Sequence, residues 1–90
     1  MKVLVLYRPN SEHGRAIEEF VHDLEQRLSA GSHLEIQNID TREGAATASL
    51  YDIVQYPAVL VLQNDGYLHK FWQGGEVPPL LSEVNAYASV

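Results

Sequence analysis

The sequence predicts an α/β fold in which a four-stranded mixed sheet is flanked by three helices, in the order βαβαββα. Apolar residues fill positions 3–6 and 58–62 without interruption, which is typical of strands covered on both faces. Between positions 17 and 28 the apolar residues recur at helical spacing. Residues 64–66 read Asn-Asp-Gly, a turn that joins antiparallel strands. These patterns indicate strands that alternate with helices, followed by a hairpin.

The first strand and the first helix lie within the first 28 residues. Lys2–Tyr7 is rich in valine and leucine, which favours a central, buried strand. Pro9 disfavours helical geometry in the residue before it, and Ser11 is a residue type that caps helices. We therefore expect a helix that begins near Ser11 and is ended by the segment 29–32. Its apolar face consists of Ile17, Phe20, Val21, Leu24 and Leu28.

A second strand and a second helix follow. Residues 33–39 read as a strand with apolar positions at Leu34, Ile36 and Ile39. Residues 40–44 are turn and capping types, and residues 45–53 contain good helix formers. In this second helix we expect Leu50 and Ile53 to face the sheet.

The last third of the sequence predicts a hairpin and a closing helix. The two strands are residues 58–62 and 67–72, joined by the Asn-Asp-Gly turn. Gly74 and Gly75 form a flexible corner after the second of these strands. Proline is tolerated at a helix start, so we expect the third helix to begin at the proline pair 78–79. Its apolar positions are Leu80, Leu81, Val84 and Ala88.

Composition limits the classes of partner. The 90 residues contain no linker or repeat, so we expect a single domain over residues 1–90. Twelve acidic and six basic side chains give a net charge of -6, which disfavours nucleic acid as a partner. No apolar run approaches the roughly 20 residues that span a bilayer, so no membrane partner is expected. The first residues lack the pattern of a signal peptide, which predicts a cytoplasmic location.

The sequence resembles the thioredoxin superfamily, most specifically in its second half. The matching segments are 38–40, the run YDIVQYPAVL at 51–60, the Asn-Asp-Gly turn and Gly74. The order of elements, with a proline before the third strand and a glycine pair after the fourth, extends the resemblance to nearly the whole chain. The resemblance implies a thioredoxin-like fold and a cis peptide bond before Pro57.

The redox residues of that family are missing. The family carries two cysteines, separated by two residues, at the start of the first helix, and the matching positions 11–14 read Ser-Glu-His-Gly. The chain has no cysteine, so it has no thiol with which to perform thiol–disulfide exchange. The resemblance also places Val5 and Ile36 where the family has a buried aspartate and a nearby lysine. We expect both aliphatic side chains to belong to the core, because a buried carboxylate without its partner is costly.

The resemblance implies a binding surface that does not depend on the thiols. In the family, the backbone of the residue before the cis proline pairs with extended peptides, and the glycine corner completes the groove. The matching surface, here called the candidate groove, consists of Asn10, Ser11, Glu12, His13, Tyr56, Pro57, Gly74 and Gly75. The leading interpretation is a redox-inactive module that binds a protein or peptide, or acts as a scaffold, and requires no cofactor.

Two other interpretations remain open. Glutathione transferases share this fold in their first domain, and some use a serine in the matching loop to hold the glutathione thiolate, so Ser11 indicates a glutathione or small thiol-ligand site. Alternatively, the chain is an oligomeric structural protein that associates through an edge strand or through its acidic first helix. The sequence favours no particular oligomeric state.

Neither a catalytic triad nor a metal site is predicted. Ser11, Glu12 and His13 supply the residue types of a triad, but residues one or two apart on a helix point to different sides. The four histidines of the chain show no pair at metal-ligand spacing. The first turn of the helix is therefore expected to be a solvated cap.

Overall fold

The computed structural model describes residues 1–28 and 31–88. The strands are β1 (Lys2–Tyr7), β2 (His33–Asn38), β3 (Ala58–Leu62) and β4 (Leu68–Gln73). The helices are α1 (Gly14–Glu25), α2 (Arg42–Leu50) and α3 (Leu81–Ala88), with a short 3-10 turn at Gly74–Glu76. None of the helices in the described residues has the length and apolar character needed to cross a membrane.

The four strands form one mixed sheet in the order β2-β1-β3-β4. Strand β1 is parallel to β2 and antiparallel to β3, and β3 is antiparallel to β4. Both central strands are almost completely buried, which explains their uninterrupted apolar sequences. The predicted fold class and the order of elements are confirmed.

Apolar side chains pack on both faces of the sheet in two clusters. Because successive residues of a strand point to opposite faces, each central strand contributes to both clusters. Helices α1 and α3 cover one face, whose strand residues include Val3, Val5, Val59 and Val61. Helix α2 covers the other face, whose strand residues include Leu4, Leu6, Leu60 and Leu62.

Helix α1 begins three residues later than the sequence predicts. Its first residue is Gly14, and His13 occupies the N-cap position without a side-chain capping bond. The expected start near Ser11 is wrong, because the Ser11 hydroxyl donates back to the Arg8 carbonyl and so holds a preceding turn. The helix ends at Glu25, and Leu28 lies beyond it but still packs against the core. Of the segment expected to end this helix, residues 29 and 30 lie outside the described residues.

Helix α2 is displaced toward the N-terminus relative to the prediction. It begins at Arg42 because the Thr41 Oγ1 atom accepts a hydrogen bond from the Gly44 N–H at 3.0 Å, a side-chain cap. The prediction for Leu50 is wrong, since this side chain is 72% exposed at the end of the helix. The prediction for Ile53 is confirmed, since it is buried in the α2-side cluster.

The C-terminal helix also begins later than predicted. Helix α3 starts at Leu81, after the prolines, and its buried residues are Val84 and Ala88. Leu80 precedes the helix and is 71% exposed, so its assignment to the apolar face is wrong. The proline pair lies in the connection before this helix, and the Val77–Pro78 peptide bond is cis.

Candidate functional site

The loop of residues 8–13 is organised around Arg8. The Arg8 backbone N–H donates to the His13 Nε2 atom at 3.2 Å, and the Arg8 carbonyl accepts a hydrogen bond from the Ser11 hydroxyl at 2.6 Å. The Gly14 N–H donates to the Ser11 carbonyl at 3.1 Å. The loop that matches the redox loop of thioredoxins is therefore closed by its own hydrogen bonds.

The Arg8 side chain ties this loop to the connection between β2 and α2. Its Nε and Nη2 atoms donate to the two carboxylate oxygens of Asp40 at 2.9 and 3.0 Å. Hydrogen bonding to Arg8, and then its charge, lower the pKa of Asp40 below the ordinary value. The same hydrogen bonds raise the pKa of Arg8, with a smaller electrostatic contribution from Tyr56. Arg8 therefore links the loop of residues 8–13 to the connection between β2 and α2.

His13 lies against the end of β1. Its ring centroid is 6.5 Å from that of Tyr7, at an angle of 54° between the ring planes. The Tyr7 hydroxyl donates to the Glu18 Oε2 atom at 3.0 Å. Burial, followed by this hydrogen bond and the Glu18 charge, raises the pKa of Tyr7. The His13 ring is thus held between the Tyr7 ring and the Arg8 backbone.

Gly14, which occupies the second cysteine position of the resemblance, packs directly on the loop. A Cβ atom at this residue would overlap the Pro9 carbonyl oxygen and would lie 2.9 Å from the Pro9 carbonyl carbon. Ordinary Cβ contacts are longer than this, so a side chain here requires the backbone to move. This position lacks a thiol, and the Pro9 carbonyl also occupies the space that any side chain would need.

Tyr56, Pro57 and the glycine corner meet at the start of β3. The Tyr56–Pro57 peptide bond is cis, and Pro57 is buried. The Pro57 carbonyl accepts a hydrogen bond from the Gly74 N–H at 2.9 Å. Gly74 has a φ of 59°, in the left-handed region that favours glycine, and a Cβ atom at this residue would overlap the Gln55 side chain.

The Tyr56 backbone takes no part in these contacts. Throughout the part of the chain that the structure describes, its N–H and C=O have no hydrogen-bond partner, whereas its phenol donates to the Ile53 carbonyl at 3.5 Å. Gln73 fixes the preceding segment, since its Oε1 atom accepts from the N–H groups of Val54 and Gln55 at 3.4 Å. The arrangement leaves one backbone donor and one acceptor at a half-buried residue.

The structure connects the predicted groove residues within two separate groups. Ser11 and His13 contact Arg8, and Pro57, which follows Tyr56, is bonded to Gly74. The other three predicted residues are Asn10, Glu12 and Gly75, and all three are exposed. The Asn10 and Glu12 side chains form no hydrogen bond or ion pair within residues 1–28 and 31–88.

Three residues that hold the parts of this surface were not predicted from the sequence. Arg8 and Asp40 are 32 positions apart, and no local pattern indicates that they pair. Gln73 holds the segment before Pro57, yet in the sequence it is only a polar residue that follows a strand. A polar residue at a loop is a common turn signal, so these residues carry no distinguishing mark in the sequence.

The chemistry of the loop is that of a structural turn. The Ser11 hydroxyl donates its proton to the Arg8 carbonyl, and the His13 Nε2 atom accepts from a backbone N–H instead of from a hydroxyl. Among the described residues, no three histidine, aspartate or glutamate side chains come together as a metal site.

Comparisons with known proteins support the fold. No protein family model and no curated protein matches the sequence. The structure is similar to that of thioredoxin 1 from the thermophilic eubacterium Thermosipho africanus, with a TM-score of 0.70 and 13% sequence identity. The match covers 99% of this chain and 91% of that chain. At this identity the likeness shows a thioredoxin-like fold, and the chain carries that fold without a cysteine.

Proposed function

We propose that this chain, a thioredoxin-like fold without cysteine, is a redox-inactive module that binds an extended segment of a protein or peptide at the candidate groove. The proposal takes the fold as its premise and concerns the surface formed by residues 10–13, 56–57 and 74–75. It includes no thiol–disulfide step, because the chain has no thiol.

The observation that carries the proposal is the unpaired backbone of Tyr56. Its N–H and C=O lack partners within the described residues, next to a proline whose carbonyl is already bonded to Gly74. An extended peptide satisfies such groups by pairing as an added strand, and main-chain hydrogen bonds then supply affinity without a specific side chain. In thioredoxins the residue before the cis proline is used in this way, which supports the same use of Tyr56.

The glutathione interpretation receives less support from the loop geometry. A serine that holds a thiolate must donate its hydroxyl proton to sulfur, whereas the Ser11 hydroxyl donates to the Arg8 carbonyl at 2.6 Å. Binding glutathione in that way would break this bond and leave a carbonyl without its partner. Glutathione therefore serves as the comparison ligand in the test.

The oligomer interpretation rests on the sheet edges. Strands β2 and β4 lie at the two edges, and β2 carries Ile36, which is 44% exposed. Association through an edge would change the amides of β2 or β4, which lie outside the candidate groove. The same experiment thus separates the two interpretations.

The test is a two-dimensional amide NMR titration of the labelled protein with an extended cysteine-free peptide mixture, and separately with glutathione. We expect the peptide to shift the amides of Ser11, His13, Tyr56 and Gly74, and glutathione to leave them unchanged. Shifts confined to β2 or β4 would overturn the proposal, and so would a response to glutathione alone.

A pair of tryptophan variants sharpens this test. A Cβ atom at Gly75 would meet no other atom within 4 Å, so Gly75→Trp starts from an open position and adds a bulky ring at a residue of the candidate groove. Tyr67 is 73% exposed in the hairpin at the other end of β3, so Tyr67→Trp adds an indole away from the groove. We expect Gly75→Trp to abolish the peptide shifts and Tyr67→Trp to retain them. Equal binding by both variants would place the peptide elsewhere.

A further inference from the structure

The loop of residues 8–13 contains one hydrogen bond whose existence depends on protonation. The His13 Nε2 atom accepts from the Arg8 N–H at 3.2 Å. A ring nitrogen can accept only when it carries no proton, so this contact requires neutral His13 with its proton on Nδ1. Histidine is the side chain whose charge ordinarily changes between pH 5 and 8.

We propose that His13 is a pH-sensitive latch: when its ring is neutral it holds the loop of residues 8–13 closed beside the candidate groove, and protonation releases it. This inference concerns the regulation of that groove and, for its consequence on binding, rests on the proposed function. The latch itself is a property of the loop and is measured without any ligand.

A His13 ring protonated on Nε2 cannot make the hydrogen bond that the closed loop contains. A proton on Nε2 would point at the Arg8 N–H, so two donors would face each other. His13 is also the N-cap of α1, where the partial positive charge of the helix disfavours a cation. The Arg8 guanidinium adds a positive charge on the same loop, although Asp40 is paired with it.

Other groups near the ring act in the opposite direction. Glu12 is the adjacent residue, and on the β1 side the Tyr7 ring and the Glu18 carboxylate bonded to it attract a cation. These groups favour an imidazolium that turns outward from the Arg8 backbone. Tyr56, from the segment before β3, adds no charge to these surroundings, because a phenol is neutral in the pH range of histidine. Protonation therefore moves the ring and frees the Arg8 N–H.

The loss of this bond removes one of the three contacts through which Arg8 is held. The Ser11–Arg8 hydrogen bond and the Arg8–Asp40 ion pair do not involve His13 and remain. The expected change is therefore local, and the fold is retained. Because residues 10–13 form one side of the candidate groove, their rearrangement weakens peptide binding at acidic pH.

The experiment follows the His13 ring and the Arg8 amide by NMR from pH 8 to pH 5 in the intact protein. We expect the Arg8 amide shift to follow the same midpoint as the His13 ring. After correction for the intrinsic rate at each pH, Arg8 amide exchange should accelerate about two- to tenfold on protonation, the effect of one hydrogen bond. An Arg8 amide that does not change with the His13 ring would overturn the latch.

Two variants make the result specific. His13→Gln supplies a non-titrating side chain, and we expect it to abolish the pH dependence of the Arg8 amide. His22→Gln changes an exposed histidine on α1 that contacts Gln26. In this control variant the pH dependence of the Arg8 amide should persist. If the Arg8 amide still depends on pH in His13→Gln, its pH dependence does not come from His13.

A ligand measurement separates this inference from the proposed function. Peptide affinity is compared at pH 8 and pH 5.5 for the natural sequence and for His13→Gln. Weaker binding at pH 5.5 only with His13 present supports the latch as a regulator of the groove, whereas equal binding at both pH values overturns that regulatory role. If no peptide binds at any pH, the proposed function fails while the Arg8 amide still decides whether the latch exists.

Discussion

At the scale of single residues, Gly14 determines how the loop of residues 8–13 meets α1. It is buried at the first position of the helix, and the Pro9 carbonyl lies where a Cβ atom would be. The contact is between backbone groups, which cannot rotate out of the way as a flexible side chain can. A residue larger than glycine must therefore displace the loop or the helix start.

The first prediction is that Gly14→Ala lowers the free energy of unfolding by about 1–3 kcal/mol, the usual cost of overpacking a filled site. The measurement is urea unfolding followed by far-UV circular dichroism. Gly75→Ala is the matched control, because a Cβ atom there meets nothing within 4 Å, and its unfolding midpoint should be nearly unchanged. Equal stability of the two variants would contradict the close packing at Gly14.

The second prediction concerns the Arg8–Asp40 ion pair at acidic pH. The pKa of Asp40 is lowered by its hydrogen bonds to Arg8, so the pair contributes stability above the unfolded-state value of about 4. That contribution is lost as the pH falls through the lower folded-state pKa. We expect the stability difference between the natural sequence and Asp40→Asn to shrink between pH 6 and about pH 2.

The acid prediction is measured as urea midpoints across that pH range. Asp23→Asn is the control, since Asp23 is exposed on α1 and no ion pair involving it occurs among the described residues. The stability difference between Asp23→Asn and the natural sequence should not shrink as the pH falls. A difference for Asp40→Asn that stays constant from pH 6 to pH 2 would show that the ion pair contributes nothing in solution.

At the scale of elements, the end of α2 carries a residue poorly suited to its position. The Ile53 N–H donates to the Ala48 carbonyl at 2.9 Å, and the Asp52 N–H donates to the Ser49 carbonyl at 3.3 Å, which together form a Schellman cap. Asp52 holds the left-handed position of this cap with a φ of 56°. Glycine is the usual residue there, and a carboxylate near a helix C-terminus faces the negative end of the dipole.

The third prediction is that Asp52→Gly raises the free energy of unfolding by about 0.5–1 kcal/mol, because relief of the left-handed conformation exceeds the added entropy of the unfolded chain. Asp52→Asn removes the charge and keeps a side chain, so it should gain a smaller amount. Thermal and urea unfolding of the two variants give the comparison. If Asp52→Gly is no more stable than Asp52→Asn, the whole gain in stability comes from removal of the charge.

The attachment of α3 shows why element boundaries near the C-terminus are difficult to predict. A bulge in the pairing of β3 with β4 lets two successive residues, His69 and Lys70, reach Tyr87 of α3. The Tyr87 ring also lies 5.8 Å from the Trp72 ring, edge to face. Helix α3 is thus positioned by contacts with a strand irregularity that no local pattern indicates.

At the scale of the whole molecule, the two apolar clusters share the same two central strands. Leu60 is fully buried in the α2-side cluster, and its neighbour Val59 is fully buried in the cluster under α1 and α3. Loss of packing on one face therefore disturbs the strand that supports the other. We expect the two faces to unfold together.

The fourth prediction tests this coupling with two leucine truncations. Leu60→Ala should lower the free energy of unfolding by about 2–5 kcal/mol through lost burial and a cavity, whereas Leu50→Ala, at a side chain 72% exposed, should change it by less than about 0.5 kcal/mol. Trp72, the one tryptophan of the chain, lies in the opposite cluster from Leu60. Its fluorescence should report the same midpoint as circular dichroism in both variants. Separate midpoints for Leu60→Ala would show that the faces unfold independently.

Much of the fold could be predicted because apolar periodicity is a local property. The uninterrupted strand at 58–62 has the predicted bounds, and β1 does as well. Besides the helix starts, the wrong predictions concern apolar residues with no layer above them. Ile36 is expected in the core, but β2 is an edge strand and leaves it 44% exposed, whereas Val5, its partner on the central strand β1, is fully buried.

The sequence by itself determined the order of elements and the absence of thiol chemistry, because strand and helix periods and residue identity are written along the chain. Its resemblance to the thioredoxin superfamily implied the thioredoxin-like fold. Only the tertiary structure decided how the candidate groove is assembled. The pairing of Arg8 with Asp40, the acceptance by His13 Nε2 and the exclusion of a side chain at Gly14 depend on segments brought together by folding. A hydrogen bond or an overlap is a relation between atoms in space, and sequence spacing does not specify it across different loops.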